Sequence, residues 1–251
     1  MESVIGNEFV FLNETGKIMK KRLSFLFIIL ILITALSACS GSQNDLHQFE
    51  TDDETRLLRF CIKDYGNLDF RIYPDAEPVV AARFIELAES GYYTGMSFNT
   101  FIDDYLAMVG PDSDAKDSGK EKTEIRDSET PSLYPFYGAL CLSFDENMNC
   151  DMNRFYVITV TADQIENLNE LVEFKGYTFN DYMKFGYNTE MGSDETNLFK
   201  EYGGAPWLYG HTCVIGQCYD GMELLEKIMN DYRNGDGTDR YLIERIETDG
   251  Q

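Results

Sequence analysis

The side chains most able to do chemistry unaided are cysteine and histidine, which bind metals and attack carbonyls. The sequence has 6 Cys, at positions 39, 61, 141, 150, 213 and 218, and 2 His, His47 and His211. Structural zinc asks for four such ligands in closely spaced pairs, and these positions fit no zinc pattern. Oxygen ligands offer a second route: Asp145, Asn147, Asn149, Asp151 and Asn153 alternate as in a calcium loop. The loop fails at its sixth position, Cys150 where a glycine must turn the chain, and at its twelfth, Tyr156 where a glutamate must close the shell. The run is therefore expected to be a polar loop entering an apolar strand, and neither a metal nor a cofactor is expected. Charge excludes a further class. Lys and Arg number 21 against 44 Asp and Glu, a formal net charge of −23. With no basic stripe to neutralise phosphates, nucleic acid is excluded as a partner. At 43% hydrophobic and 14% aromatic the chain can still fill a core, so its acidity reads as a solvated surface.

One cysteine stands in a pattern of its own. Met19-Lys20-Lys21-Arg22 is basic, Leu23 to Leu36 is almost wholly apolar, and small residues follow in Leu36-Ser37-Ala38-Cys39. The apolar stretch is short for a bilayer span, so residues 19–38 read as a secretory signal. Its end resembles a bacterial lipobox, which implies that Cys39 is lipidated on its thiol and becomes the mature N-terminus. The protein is then expected outside the cytoplasm, held on the cell membrane through a lipid anchor. Residues 1–18 carry no pattern, and translation is expected to begin at Met19. Residues 39–56 are polar and acidic, and are expected to form a flexible tether. Five cysteines remain after Cys39; a Cys141–Cys150 bridge and buried free thiols are both open.

The rest of the chain supplies the elements that would position a site. Leu58, Phe60 and Ile62 alternate with polar residues, Asp64 to Asn67 turns the chain, and Leu68, Phe70 and Ile72 resume the alternation. That predicts a hairpin with one buried face. A helix follows, with Pro78 in its first turn, Val80, Phe84, Leu87 and Ala88 on one face and Gly91 as its stop. Apolar strands are predicted at Ser97–Val109, Gly138–Phe144, Phe155–Val160 and Thr212–Gln217. A second helix at Gly221–Arg233 and a last strand around Tyr241–Ile246 complete the pattern. Many short strands and few helices point to a mainly β fold, a closed antiparallel barrel capped by helices. Residues 161–204 break that pattern and read as a partly helical insertion.

Several segments resemble the cyclophilin family of peptidyl-prolyl isomerases. Gly66 to Pro74 is similar to its opening hairpin, and Pro78 with Phe84 to Ala88 and Gly91 to Gly95 is similar to its first helix. Gly138-Ala139-Leu140 and Phe155 to Thr159 match two central strands. The most specific tract runs from Gly203-Gly204-Ala205-Pro206-Trp207-Leu208 to Thr212, then through Val214, Gly216 and Gly221-Met222. The resemblance covers about residues 57 to 247 and implies a cyclophilin-like closed eight-stranded barrel interrupted at 161–204.

Prolyl isomerisation rotates an amide against a barrier of about 18–20 kcal/mol without breaking a bond. It needs an apolar slot for the proline ring and a donor that stabilises the prolyl nitrogen as conjugation is lost. The resemblance places the slot at Tyr105, Leu106, Met108, Tyr156 and Leu208, with Trp207 at its rim. The family's donor arginine corresponds to Thr100, whose short neutral hydroxyl cannot replace a guanidinium. A pocket glutamine corresponds to Arg154, for which two readings stand open: a substitute donor that swings into the space beside Thr100, or a surface arginine paired with nearby acids such as Asp151. Thr212 stands at the pocket histidine, with His211 one residue early and facing the opposite way. The implied function is a monomeric isomerase of weak activity, assisting exported proteins through their proline-containing segments. The alternative is a pseudo-isomerase that grips such segments as a chaperone or adaptor.

Overall fold

A computed structural model describes residues 46–111, 122–123, 133–235 and 241–249. Cys39, the signal and residues 1–45 lie outside the described residues. From His47 onward the chain forms one compact unit. Its elements are β1 (Arg56–Ile62), β2 (Gly66–Ile72), α1 (Pro78–Glu89), β3 (Ser97–Ile102), β4 (Leu106–Gly110), β5 (Lys122–Thr123), β6 (Ala139–Leu142), β7 (Cys150–Asp151) and β8 (Phe155–Ile158). Then come α2 (Ala162–Phe174), α3 (Phe179–Tyr187), α4 (Ser193–Tyr202), β9 (Cys213–Asp220), α5 (Met222–Arg233) and β10 (Tyr241–Thr248).

Eight strands close into a barrel in the order β1-β10-β3-β4-β8-β6-β9-β2, and every pairing is antiparallel. Closure leaves no exposed edge in this sheet. The β1–β2 hairpin forms as its alternation demands, with Leu58, Phe60, Leu68, Phe70 and Ile72 fully buried inside. Phe60 and Phe84 of α1 both meet Phe155 edge-on, at 5.6 and 5.3 Å between ring centroids. α5 buries Leu225, Ile228 and Met229 in the same core. The stretch Ser97–Val109 is not one strand. It reverses at Asp103-Asp104, where Asp104 takes φ 57°, a backbone that aspartate tolerates better than most side chains.

The insertion is more helical than its mixed polarity predicts. Each of its three helices has a local reason to start. Thr161 caps α2 and Gln164 reaches back to it, and Thr178 accepts from the Asp181 N–H at the head of α3. The Gly192 N–H donates to the Glu195 carboxylate at the head of α4. The insertion leaves and returns at one point. Gly204 N–H donates to the Val160 carbonyl, and Ala205 N–H to that of Pro135, both at 2.8 Å. The excursion therefore closes on itself and leaves the barrel register intact.

Of the expected tether at residues 39–56, the part from His47 onward belongs to the folded unit, and residues 39–45 lie outside the described residues. Residues 47–49 form a 3-10 turn packed on the barrel, with Gln48 buried and Phe49 stacked on Tyr202 at 4.6 Å and Phe136 at 5.8 Å. An aromatic and an amide within an acidic run found partners that local composition does not reveal. The five cysteines of the folded body are all unbonded and buried. Cys141 and Cys150 form no bridge, so the free-thiol alternative holds.

Candidate functional site

Strand register decides which side chains meet. Ala107, Val109, Phe155 and Val157 face the core, so by alternation Leu106, Met108, Tyr156 and Ile158 face outward. Pairing aligns Thr100 with Met108, Met108 with Tyr156, and Tyr156 with Cys141. A single lateral row thus crosses β3, β4, β8 and β6 on the outside of the barrel. Leu106 and Tyr156 are buried, while Tyr105 and Met108 keep an exposed edge. The predicted slot residues contributed by β4 and β8 therefore share one surface.

The floor of that surface is polar but satisfied. The Thr212 hydroxyl donates to the Leu142 carbonyl at 3.0 Å. With its only proton so used, Thr212 accepts the Tyr156 hydroxyl, at 2.5 Å. The expected side assignment at 211 and 212 is observed: Thr212 is buried, and His211 is exposed with its ring 3.4 Å from the Asn188 carbonyl. Burial raises the Tyr156 phenol, with Thr212 opposing part of the rise, and burial raises the Cys141 thiol behind it. The Tyr105 phenol is raised for the same reason, the Trp207 indole opposing. All three groups are neutral at pH 7. Such a floor suits a reaction in which no proton is transferred.

The rim comes from the turn Pro206–Leu208. It carries Trp207 to Tyr105, with ring centroids 5.5 Å apart, and leaves Trp207 and Leu208 half-buried. Two glycines make the approach of this segment possible. A side chain on Gly204 (φ +113°) would lie 2.4 Å from the Pro135 carbonyl oxygen, and one on Gly203 2.7 Å from that of Val160. Behind the rim Tyr134 stacks on Tyr209 at 5.1 Å and 4°. Gln48 locks Tyr134 in turn, donating to its carbonyl at 2.7 Å and accepting its N–H at 2.8 Å.

Arg154 lies along Gly110 and turns its guanidinium to Asp151, 3.8 Å away, with its side chain 59% exposed. Its position before the first residue of β8 sends it over the strand end and not along the Thr100 row. The Thr100 hydroxyl is exposed and donates to the Asn99 amide oxygen at 3.2 Å. Of the two readings of Arg154 this geometry favours the surface arginine paired with Asp151, and among the described residues no cation is directed at the outward row. What fills the calcium-like run is also clear. The Asp145 carboxylate accepts the backbone N–H groups of Asn147 and Asn149, at 2.9 and 3.0 Å, which makes the run a self-satisfied turn.

Three participants escaped the sequence. Gln48 lies in an acidic stretch that reads as linker. Cys141 lines the back of the slot only through strand register. Tyr187, from α3 of the insertion, meets Trp207 in a tilted contact at 5.9 Å and 33°. The one available signal for Tyr187 was the aromatic spacing of Phe179, Tyr182 and Phe185, which announces a helix but not what it touches.

Barrel order, the Trp207-Leu208 turn and the outward row together define a prolyl-isomerase architecture. The family model "Cyclophilin type peptidyl-prolyl cis-trans isomerase/CLD" matches residues 57–248, and the chain belongs to that family. A relative from Staphylococcus haemolyticus is 27% identical over 185 residues, 71% of this chain and 82% of that protein. One from Staphylococcus epidermidis is 25% identical over 182 residues, 71% of this chain and 83% of its own. Both names place their bearers among the peptidyl-prolyl cis-trans isomerases. The crystal structure of a Cryptosporidium parvum cyclophilin-type isomerase superposes with a TM-score of 0.50 at 18% identity. It covers 78% of this chain and 99% of that one, and the likeness is one of fold.

Proposed function

We propose that this protein is a slow prolyl isomerase that holds proline-containing segments of exported chains, anchored outside the cytoplasm by lipid on Cys39. The observation that carries the reading is the shared outer surface of Tyr105, Leu106, Met108, Tyr156, Trp207 and Leu208. An apolar slot with aromatic walls binds the pyrrolidine ring and excludes water around the twisting amide. The step needs no nucleophile or metal. Slowness follows from Thr100, because a twisted amide gains less from a site without a directed cation. The anchor rests on the basic-apolar-small sequence of residues 19–39, and folding assistance on that location together with the slot.

The geometry of Arg154 favours a second reading, a module that grips proline segments with little turnover. A protease-coupled isomerisation assay on residues 40–251, beside a proline-peptide titration followed by Trp207 fluorescence, separates the two. Turnover with binding supports the enzyme and binding alone the module; absence of both refutes the slot. Palmitate labelling of cells expressing wild type and Cys39→Ala tests the anchor, and equal incorporation would exclude it.

A further inference from the structure

The aromatic surface of the slot continues past Trp207. Trp207 meets both Tyr105 and Tyr187 of the insertion in tilted contacts. Tyr182 packs edge-on to Tyr187 at 5.7 Å and 77°. Tyr187 is not among the buried residues of its helix, which are Phe179 and Met183. It remains 43% exposed, a ring supported from beneath and open above.

The backbone behind this ring is fixed to the rim. Asn188 ends α3 in the left-handed region at φ 55°. Thr189, only 2% exposed, directs its hydroxyl to the Trp207 carbonyl at 3.3 Å and its N–H to the Met183 carbonyl at 3.2 Å. The His211 ring meets the Asn188 carbonyl. α3 and the turn at Trp207 are thus tied through two segments, and Tyr187 has a set position relative to the slot.

We propose that Tyr187, backed by Tyr182, is an accessory subsite for an aromatic side chain of the bound segment, two to four residues from its proline. The inference rests on the slot reading above and names what the insertion adds to it. The spacing follows from the rings. The contacts of Trp207 with Tyr105 and with Tyr187 are each under 6 Å, so the Tyr187 ring lies no farther than about four residues of extended chain, at roughly 3.3 Å each, from Tyr105. The chemistry follows from the pairing preference of π-systems, which favours stacked or edge-on partners at such spacings. The insertion then selects among proline segments, while the barrel supplies the proline site common to all of them.

The test uses the full chain in detergent and short alanine peptides with one central proline. A single phenylalanine is moved through the other positions, and affinities are read by calorimetry. One placement is expected to bind roughly 2- to 12-fold tighter than the all-alanine peptide, the value of one aromatic pair. In Tyr187→Ala that ratio falls to about one. Tyr187→Phe, which keeps the ring, retains it, and so does Phe174→Ala, which removes an exposed ring elsewhere on the insertion. An unchanged ratio in Tyr187→Ala, or no favoured placement in wild type, overturns the subsite while binding of the all-alanine peptide leaves the slot standing. Failure of every proline peptide to bind overturns both. Loss of vesicle adsorption or of self-association in Tyr187→Ala, with peptide ratios untouched, assigns the ring to lipid or to a second copy and overturns the proposal.

Discussion

Installing the missing donor tests the central chemical claim directly. Thr100 shares a lateral row with Met108 one strand away and Tyr156 two strands away, about 5 and 10 Å along the sheet. Its hydroxyl is held by Asn99, so nothing at this position now reaches across Met108. In Thr100→Arg a guanidinium extends along the row toward the slot. A hydrogen bond to a charged group contributes about 1.5–3 kcal/mol, or roughly 10- to 150-fold in rate. Thr100 is exposed, so solvent screening places the gain near the lower end, about 10- to 30-fold in kcat/KM. Ground-state affinity for a proline peptide should hardly change, because the donor acts on the twisted amide. Thr100→Lys should gain less, as an ammonium lacks the planar fork. The protease-coupled assay reads turnover and calorimetry reads affinity. Wild-type turnover in a folded Thr100→Arg protein would refute the claim that the absent donor limits the reaction. Arg154→Ala is the companion variant: its guanidinium faces Asp151, so turnover should stay within about two-fold, whereas a tenfold loss would return the donor role to Arg154.

Other consequences concern what holds the site. Gln48→Ala orphans buried partners on Tyr134 and Gln217. Each such group costs roughly 1–3 kcal/mol, so a loss on the order of 3 kcal/mol in urea unfolding is expected; a change below about 0.5 kcal/mol would show that the turn at residues 47–49 is not docked. Gly204→Ala forces a side chain to within 2.4 Å of the Pro135 oxygen at a positive φ, and should cost at least about 2 kcal/mol and weaken peptide binding through Trp207; a neutral result would contradict the close approach. The thiols set a pH limit. Burial raises Cys218 from 9.0 to about 12, and raises Cys61 and Cys141 as well. The unfolded chain releases these protons first, so their contribution is complete below about pH 9 and is lost as pH rises from 9 toward 12. Unfolding midpoints should fall across that window, and the same thiols should resist disulfide reagents at pH 8 until urea is added. Prompt native-state labelling would refute their burial.

Much of this protein is already legible in its sequence. Alternation at Leu58–Ile62 and Leu68–Ile72, the Pro78 and Gly91 boundaries and the Trp207-Leu208 tract are local signals, and local signals fix hairpins, helices and a family. The expectation that Thr100 stands in place of the family's arginine is legible for the same reason: it concerns which residue stands in a motif. Long-range partnership is different in kind. For Arg154 the sequence leaves two partners open, the space beside Thr100 and the Asp151 carboxylate, and its place at the end of β8 favours the second. The docking of Gln48 and Phe49 depends on partners far along the chain. So does the meeting of Tyr187 with Trp207, which requires α3 to fold back through Asn188 and Thr189. Residue type determined the family and which residues stand at its slot and donor positions. Strand register and the closure of the insertion at Gly204 decided what surrounds that slot, because both are set by contacts that no short stretch of sequence contains.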